Sequence, residues 1–555
     1  MMLPRVYLVG LIVMALAAGM LGRLWYLQIV DKDFLQDQGD ARTIRMERIN
    51  AHRGIIQDRS GKPLAVSTPV LSLWANPSEV LGDDPTREAA QDLSALTDYL
   101  EVDPETFEQK LKGNLSRNFV YLRRHLPPSE ARSILELGIR GVYAEREYHR
   151  FYPAGEVAAH VVGFTDIDDV GQEGLELSFD KWLAGKPGKK KVLKNLYGEI
   201  VRDVKPVAEA QPGKSLSLTI DLRLQYLAYR ELKSAVQHFK AKSGSVVVLD
   251  VETGHVLAMV NQPSYNPNNR VDLDLAAVRN RALTDVFEPG STVKPFTVGV
   301  ALESGRYTPE STIDTSPGFV RVGNFTIRDP RNRGVLKLDE IIAHSSQVGI
   351  SRLALDLNEY EVWGMFEKLG FGRDVGSGFP GESTGYLPNH RRWKDIDRAT
   401  FAYGYGLTVT PVQLASAYLS IASGGIKRDI SLIDGVPVQE SRIFSSEIAA
   451  QLKTMLATVV TDGTATRAAI HGYEVAGKTG TVRKIGEDGY QDTQHLAFFA
   501  GMAPVDKPRL VGVVLINEPQ MDQSGGGTIA APVFSRVIQN ALRILNVPPK
   551  FQEAV

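Results

Sequence analysis

The sequence predicts an α/β protein whose largest domain, at the C-terminal end, contains an antiparallel β-sheet. Residues 244–260 have the alternation and central turn of a β-hairpin, and two further strand patterns occur at 497–502 and 510–516. Amphipathic helix patterns cover residues 222–239 and 531–545. Strands from both ends of the domain are thus predicted to complete one sheet, and the sequence between them is predicted to form a helical insertion.

The length and composition of the chain narrow the classes of protein to consider. With 555 residues, it is too long for a single hydrophobic core, so two or three domains are expected. Its 63 Lys and Arg residues nearly balance its 65 Asp and Glu residues, and it has no long basic stretch that could bind a phosphate backbone. Nucleic acid is therefore not an expected partner. The absence of cysteine excludes disulfides, thiolate nucleophiles and cysteine-based zinc sites.

An apolar segment near the N-terminus predicts a membrane anchor. Residues 6–22 form an unbroken apolar run, and after Arg23 the apolar character resumes. At about 1.5 Å per residue, a helix over 6–30 exceeds a ~30 Å hydrocarbon core. We expect a cytoplasmic tail at 1–5, a single-pass membrane anchor at 6–30 and the rest of the chain outside the membrane. The alternative is a cleaved signal peptide, since Ala15-Leu16-Ala17 resembles a small-residue cleavage site.

The segment between the anchor and the large domain is mixed in character. Its residues 58–63 have the composition of a tight turn between two short strands, and 85–138 is charged and helical. The basic Gly/Pro stretch 186–191 is predicted to be an exposed loop. The Pro212-Gly213 pair marks a boundary before the large domain. We expect a non-catalytic domain over 31–215 and the large domain over 216–555.

A sharp local pattern surrounds Ser291, in the sequence Phe-Glu-Pro-Gly-Ser-Thr-Val-Lys-Pro-Phe. Because proline is tolerated in a helix only near its start, Pro295 places Ser291 within or just before the first turn of a helix that continues through Leu302. The spacing of three residues puts Ser291 and Lys294 on one helix face, within reach of each other. A lysine whose ammonium form is disfavoured by burial and by a nearby cation can take the proton of a serine hydroxyl. The pattern therefore predicts a serine nucleophile with a lysine base.

Two more motifs follow in order: Ser345-Ser346-Gln347 and Lys478-Thr479-Gly480-Thr481. With the first, they resemble the Ser-x-x-Lys, Ser-x-Asn and Lys-Thr-Gly motifs of penicillin-binding proteins and serine β-lactamases. Other segments resemble class B penicillin-binding proteins over nearly the whole chain, namely 53–65, 150–155, 171–176, 403–406 and 526–528. The stretch 403–411 is similar to the division-type (FtsI-type) transpeptidases rather than to the elongation type.

This resemblance implies both a fold and a reaction. The fold would be the α+β penicillin-binding transpeptidase fold, an antiparallel sheet with helices on both sides and a helical lobe, preceded by an elongated mixed α/β pedestal. The reaction would be peptidoglycan DD-transpeptidation, in which a serine acyl-enzyme cross-links stem peptides during septal wall synthesis and is acylated by β-lactams. A membrane glycosyltransferase of the SEDS type and other divisome proteins are the partners that the resemblance implies.

The resemblance also assigns roles to individual residues. Ser291 would be the nucleophile, Lys294 its base, Ser345 a proton relay, and Lys478 the cation that helps to keep Lys294 neutral. The backbone N–H groups of Ser291 and Thr481 would form the oxyanion hole. The residues implied in substrate binding are Gln347, Thr479, Gly480 and Thr481.

One position departs from the family pattern, because Gln347 stands where the family usually has Asn. Its amide sits one methylene farther from the backbone, so we expect either a shifted loop or weaker activity. Gln347 and the large non-catalytic N-terminal segment leave a degenerate penicillin-fold scaffold or receptor as an alternative. Two others are an elongation-type transpeptidase and a hydrolytic relative that shares the motifs, either a β-lactamase or a DD-carboxypeptidase. The ten histidines are scattered and no nucleotide or metal motif occurs, so neither a metal nor a cofactor is expected.

Overall fold

The computed structural model describes residues 3–35, 44–81, 87–194, 200–486, 489–520 and 525–550. Contacts between residues divide the chain into two compact units. The first unit comprises Met1–Arg53, Leu71–Tyr148 and Ala184–Lys214, and the second comprises Gly54–Val70, His149–Leu183 and Ser215–Val555. Two segments of the predicted 31–215 domain therefore pack with the large C-terminal domain.

The strands of the described residues are numbered in chain order. They are β1 (Ile44–Ile49), β2 (Ile56–Gln57), β3 (Pro63–Ala75), β4 (Val120–Leu126), β5 (Val142–Phe151), β6 (Gly188–Lys194), β7 (Ile200–Ala208), β8 (Leu216–Ser217), β9 (Ser243–Asp250), β10 (Val256–Gln262), β11 (Thr312–Asp314), β12 (Phe319–Val322), β13 (Phe325–Arg328), β14 (Val335–Lys337), β15 (Ile426–Arg428), β16 (Glu440–Arg442), β17 (Ala476–Gly486), β18 (Gly489–Ala503) and β19 (Leu510–Asn517).

The α-helices are numbered in the same way. They are α1 (Leu3–Trp25), α2 (Pro77–Leu81), α3 (Arg87–Leu100), α4 (Pro104–Lys112), α5 (Pro128–Leu135), α6 (Ala159–Val162), α7 (Gly174–Ser178), α8 (Asp180–Leu183), α9 (Leu222–His238), α10 (Leu275–Val278), α11 (Arg281–Thr284), α12 (Lys294–Glu303), α13 (Leu338–Ala343), α14 (Gln347–Asp356), α15 (Glu359–Lys368), α16 (Asp395–Phe401), α17 (Pro411–Ala422), α18 (Ser446–Thr461) and α19 (Gly526–Ile544).

The N-terminal apolar segment forms a helix. α1 continues into a π-helical turn, Tyr26–Val30. The stretch Tyr7–Val30 is long and apolar enough to cross a membrane, and its apolar side chains are not buried against other described residues. Length and composition therefore qualify this helix as a candidate span.

The remainder of the first unit contains a small helical core and a three-stranded sheet. α3, α4 and α5 pack against β4 and the end of β3 through side chains such as Leu73, Phe107 and Leu126. The separate sheet has the antiparallel order β1-β6-β7. The loop predicted at 186–191 is wrong, because residues from Gly188 onward form the central strand β6. The run of lysines hides the strand pattern, whereas Val192 is fully buried.

The second unit is built around a five-stranded antiparallel sheet in the order β10-β9-β19-β18-β17. The predicted hairpin is β9 and β10, and the predicted late strands are β18 and β19, so strands from both ends of the domain do complete one sheet. α9 and α19 pack against each other and on the sheet. Every residue of α17 is buried, as expected for a helix enclosed by the sheet and neighbouring helices. Helices α12 to α16 form the predicted helical lobe.

The two early segments of the second unit are held by buried polar residues. β2 pairs in parallel with β8. Asp58, which is buried, accepts hydrogen bonds from the backbone N–H groups of Ser60, Lys62 and Leu222, the first residue of α9. Farther along, Arg150 forms a fully buried ion pair with Glu176, with Nε 2.6 Å from Oε1. A buried charge is stable only with such a partner. The turn at Asp58 and the Arg150–Glu176 pair therefore have a structural role in this unit.

Candidate active site

Ser291 lies at the start of a helix, as predicted. Gly290–Val293 form a 3₁₀ turn that leads directly into α12, with Pro295 in its first turn. A proline there costs no hydrogen bond, because the first N–H groups of a helix have no partner within it. The nucleophile candidate is therefore fixed at the junction between a tight turn and a buried helix.

Ser345 connects Ser291 to Lys294. Its Oγ donates a hydrogen bond of 2.9 Å to Ser291 Oγ. Lys294 Nζ donates to Ser345 Oγ at 3.1 Å and to the backbone oxygen of Ser345 at 2.5 Å. The sequence analysis gave Lys294 as the base and Ser345 as a proton relay, and in the structure hydrogen bonds connect Lys294 to Ser291 through the Ser345 hydroxyl.

The backbone of Ser345 is held in an unusual conformation. Its φ is +60°, in the left-handed region that side chains other than glycine rarely adopt. It lies between α13 and α14, and the neighbouring Ser346 caps α14 by accepting from the N–H of Gly349. Such strained positions persist only where the surroundings enforce them, and they cluster at functional sites. The two helix ends thus aim the Ser345 hydroxyl at Ser291.

The two lysines of the site are both fully buried, and their pKa values are lowered. Burial lowers the pKa of Lys294 well below its usual value, the positive charge of Lys478 lowers it further, and Asp329 opposes the shift. Burial lowers the pKa of Lys478 to about 7. Burial and the nearby positive charge of Lys478 both disfavour the ammonium form of Lys294, which suits its amine to accept a proton.

The Lys-Thr-Gly motif lies on β17, the end strand of the five-stranded sheet. Thr479 Oγ1 is 2.8 Å from Thr464 Oγ1, and Thr481 Oγ1 accepts from the N–H of Gly526 at the start of α19. Gly480 is required by packing, because a Cβ there would lie 2.0 Å from the ring of Phe498 on β18. Gly480 thus lets β17 pair closely with β18 beside the Phe498 ring, and Thr479 and Thr481 lie on either side of Gly480 in the strand.

A cavity of about 440 Å³ opens beside these groups. Of the predicted site residues, Ser291, Ser345, Thr479 and Thr481 line it. The lining residues that the sequence analysis did not single out as site residues are Thr464, Thr466, Arg467, Gly525, Gly526, Gly527 and Thr528. Among the described residues, no group of three or more His, Asp or Glu side chains could hold a metal ion.

Comparisons with known proteins agree with this geometry. The penicillin-binding protein transpeptidase domain matches residues 244–539, and the penicillin-binding protein dimerisation domain matches 48–218. The chain is 42% identical over 544 residues to the peptidoglycan D,D-transpeptidase FtsI of Escherichia coli, which covers 98% of this chain and 92% of that protein. The chain belongs to the penicillin-binding protein transpeptidase family. The FtsI of Buchnera aphidicola is 36% identical, over 95% of this chain and 92% of its own.

Solved structures of this family include close matches in fold. The transpeptidase domain of Burkholderia pseudomallei penicillin-binding protein 3 is 40% identical with a TM-score of 0.56, and it covers 60% of this chain and 98% of its own. Penicillin-binding protein 3 of Mycobacterium tuberculosis in complex with aztreonam is 26% identical with a TM-score of 0.70, covering 91% and 98% of the two chains. This chain thus has the penicillin-binding transpeptidase fold.

Gln347, the departure from the family pattern, is the first residue of α14 and half-buried. Its backbone N–H donates to Asp329 Oδ1 at 2.6 Å, and Asp329 also accepts from Ser346 Oγ and from the N–H of Val348. Asp329 therefore holds the start of α14 in place next to Ser345. The sequence analysis missed Asp329, which follows β13 and carries no motif that identifies it.

Glu288 is a second residue that sequence reasoning missed. It lies three positions before Ser291, is buried, and has a pKa raised by burial. Its carboxylate accepts from the N–H of Gly406 at 2.8 Å and from the hydroxyl of Tyr490 at 2.9 Å. In this penicillin-binding protein, Glu288 thus links the turn that carries Ser291 (290–293, the nucleophile turn) to the stretch 403–406 and to the start of β18.

Proposed function

We propose that this protein is a peptidoglycan D,D-transpeptidase that cross-links stem peptides during septal wall synthesis. The hydrogen-bonded series from Lys294 through Ser345 to Ser291, beside a cavity lined by threonines, is the observation that supports it most strongly. It supplies a nucleophile, a proton relay and a neutral base in one connected set. A degenerate scaffold has no need of a lysine whose pKa is depressed in this way.

In the proposed acylation step, Ser291 Oγ attacks the carbonyl carbon of the penultimate D-Ala. The Ser291 proton passes to Ser345 Oγ, while Ser345 gives its own proton to the neutral Lys294 amine. The tetrahedral oxyanion is held by the backbone N–H groups of Ser291 and Thr481. As the C–N bond breaks, the proton returns through Ser345 to the leaving amine of the terminal D-Ala. The product is an ester on Ser291.

The second step reverses the path of the proton. An amine of a neighbouring stem peptide attacks the ester carbonyl, Lys294 accepts its proton through Ser345, and the proton returns to Ser291 Oγ as the ester bond breaks. The acceptor amine thus replaces the terminal D-Ala, and the cross-link forms. Thr479 and Thr481 are placed to bind the carboxylate of the donor peptide, and Gln347 is proposed as a further hydrogen-bonding group.

The buried lysines predict a pH dependence of the acylation rate. The rate rises with pH as Lys294 loses its proton, because only the neutral amine can accept the proton of Ser291 through Ser345. Lys478→Ala should move this rise to higher pH, because the cation that lowers the pKa of Lys294 is gone. A pH profile of penicillin acylation for both proteins checks this, and an unchanged profile in Lys478→Ala would contradict it.

Arg467 is proposed to attract the carboxylate of the donor peptide. It is the one charged side chain among the described residues that line the cavity, and it is exposed in the turn Thr466–Ala468. The described part of the chain gives it no hydrogen bond or ion pair. A free guanidinium at this end of the cavity complements an anion that Thr479 and Thr481 also contact.

We expect Arg467→Gln to lower the acylation efficiency of a carboxylate-bearing penicillin by roughly tenfold, since an exposed charge-assisted hydrogen bond contributes about 1.4 kcal/mol. The change should lie in the concentration dependence, with the limiting rate kept. Arg467→Lys should retain most of the effect, and a penicillin methyl ester should not distinguish the variants. Equal efficiencies for the acid and the ester in every variant would contradict this role.

The N-terminal helix supports a proposed membrane location. We infer that residues 6–30 anchor the chain in the bacterial cytoplasmic membrane, with 1–5 inside and the remainder outside. Residues 31–215 are proposed as a non-catalytic pedestal and 216–555 as the transpeptidase domain. The proposed partners are a membrane glycosyltransferase of the SEDS type and other division proteins.

Product analysis tests the proposed activity against its hydrolytic alternatives. Uncross-linked peptidoglycan strands with pentapeptide stems are incubated with the full chain or with Ser291→Ala, digested with a muramidase, and the muropeptides are separated. Cross-linked dimers formed only by the unaltered chain support a transpeptidase. Loss of the terminal D-Ala without dimers would instead identify a carboxypeptidase.

A further inference from the structure

We propose that one face of the β1-β6-β7 sheet docks on an anionic phospholipid surface. The face, called the basic face here, presents Arg48 from β1, Lys189 and Lys191 from β6, and Lys205 from β7. This proposal rests on the proposed membrane anchorage and is independent of the reaction at Ser291.

The strand register places like charges opposite each other on this face. Arg48 pairs with Lys189, and Lys191 pairs with Lys205. Residues directly opposite in neighbouring antiparallel strands have Cβ atoms about 5 Å apart, and like charges there are destabilising. The register thus brings like charges together on this face of the sheet.

Nothing in the described part of the chain neutralises the basic face. Its four cations are exposed and form no hydrogen bond or ion pair with another described residue. A cavity of about 370 Å³ lies beside two of them, lined by Met46, Arg48, Pro187, Gly188 and Lys189. Met46 is 53% exposed. An apolar side chain among unpaired cations suits the boundary between lipid headgroups and water.

The position of the sheet in the chain favours a lipid surface over an acidic protein. β1 begins 14 positions after Val30, the last residue of the candidate span. A fully extended connection of that length reaches at most about 50 Å, so the sheet stays within that distance of the candidate span. Each basic side chain close to an anionic surface strengthens the attraction by roughly fivefold, and the effect fades beyond about 10 Å.

The absence of cysteine in the natural sequence permits a direct test in the full chain. Met46→Cys, labelled with a fluorophore, is reconstituted in nanodiscs of phosphatidylcholine alone or mixed with phosphatidylglycerol, and quenching by acrylamide is measured. We expect shielding only with phosphatidylglycerol, and its loss at high salt. Lys189→Gln combined with Lys191→Gln should weaken docking by roughly 25-fold. Lys190→Gln, on the other face, should retain most of the shielding.

Several outcomes would overturn the proposal. Equal quenching in both lipids excludes charge-dependent docking, whether the probe is exposed or shielded. Shielding by added polyglutamate but not by phosphatidylglycerol would assign the face to an acidic polypeptide. A chain that enters neither nanodisc would refute the anchorage and the docking together. Acylation by a fluorescent penicillin, measured on the same samples, reports separately on the proposed reaction and on the folding of each variant.

Discussion

Lys294→Met is expected to slow acylation by penicillin by roughly 10²- to 10⁴-fold, the range over which general base catalysis contributes. Lys294 is fully buried and bonded to Ser345, so its loss removes the end point of the proton relay. Methionine has a similar length and suits a buried position, because it brings no charge that needs desolvation. The rate is measured by stopped-flow with a fluorescent penicillin.

The matched control for this substitution is Lys368→Met, at the exposed end of α15, which should react like the unaltered chain. Thermal unfolding of both variants separates a catalytic loss from a folding defect. An acylation rate for Lys294→Met within tenfold of the unaltered chain would refute the role of Lys294 as base. Ser345 and Lys478 would then have to supply the proton acceptor by another route.

Gly404→Ala is expected to lower the acylation rate by about 10²-fold without unfolding the protein. Gly404 has φ +93°, and a Cβ on it would lie 2.3 Å from the backbone oxygen of Gly290. The N–H of Gly290 also donates to the oxygen of Gly404 at 3.0 Å. An added methyl group must therefore push the turn that carries Ser291, and a displacement near 1 Å at a reacting atom costs on that order.

Gly406 supplies the control for this substitution within the same stretch. Its φ is +77°, but a Cβ there meets no atom within 4 Å. Gly406→Ala thus carries a similar conformational cost without the contact on the nucleophile turn. We expect it to acylate at close to the normal rate once folded. Equal losses in the two variants would show that backbone strain, rather than displacement of Ser291, causes the effect.

The parts of the site that sequence could predict are those fixed by local chemistry. Pro295 and the preceding Pro-Gly pair place Ser291 at a helix start, and the structure has it there. The hairpin β9–β10 was equally accessible, because alternation and a turn residue are local properties. The resemblance to a known family brought Ser345 and Lys478 to the same site across long stretches of chain.

The parts that sequence could not predict depend on contacts between distant segments. Asp329 and Arg467 lie in no motif, and only the folded chain brings them to the start of α14 and to the cavity. Glu288 lies in the pattern around Ser291, but its partners Gly406 and Tyr490 come from distant segments. The strand β6 was missed because exposed lysines dominate its composition. Only the folded sheet shows that Val192 is buried and that β6 pairs with both β1 and β7.

Intact-mass analysis of the full chain after incubation with a penicillin tests the central claim most directly. A single stable adduct of one penicillin on the unaltered chain, absent from Ser291→Ala, is the predicted result, because Ser291 Oγ is the acylated atom. An adduct that persists in Ser291→Ala would place the nucleophile elsewhere. Turnover of the penicillin without a lasting adduct would identify a hydrolase, and no reaction in either protein would contradict an active serine acyltransferase.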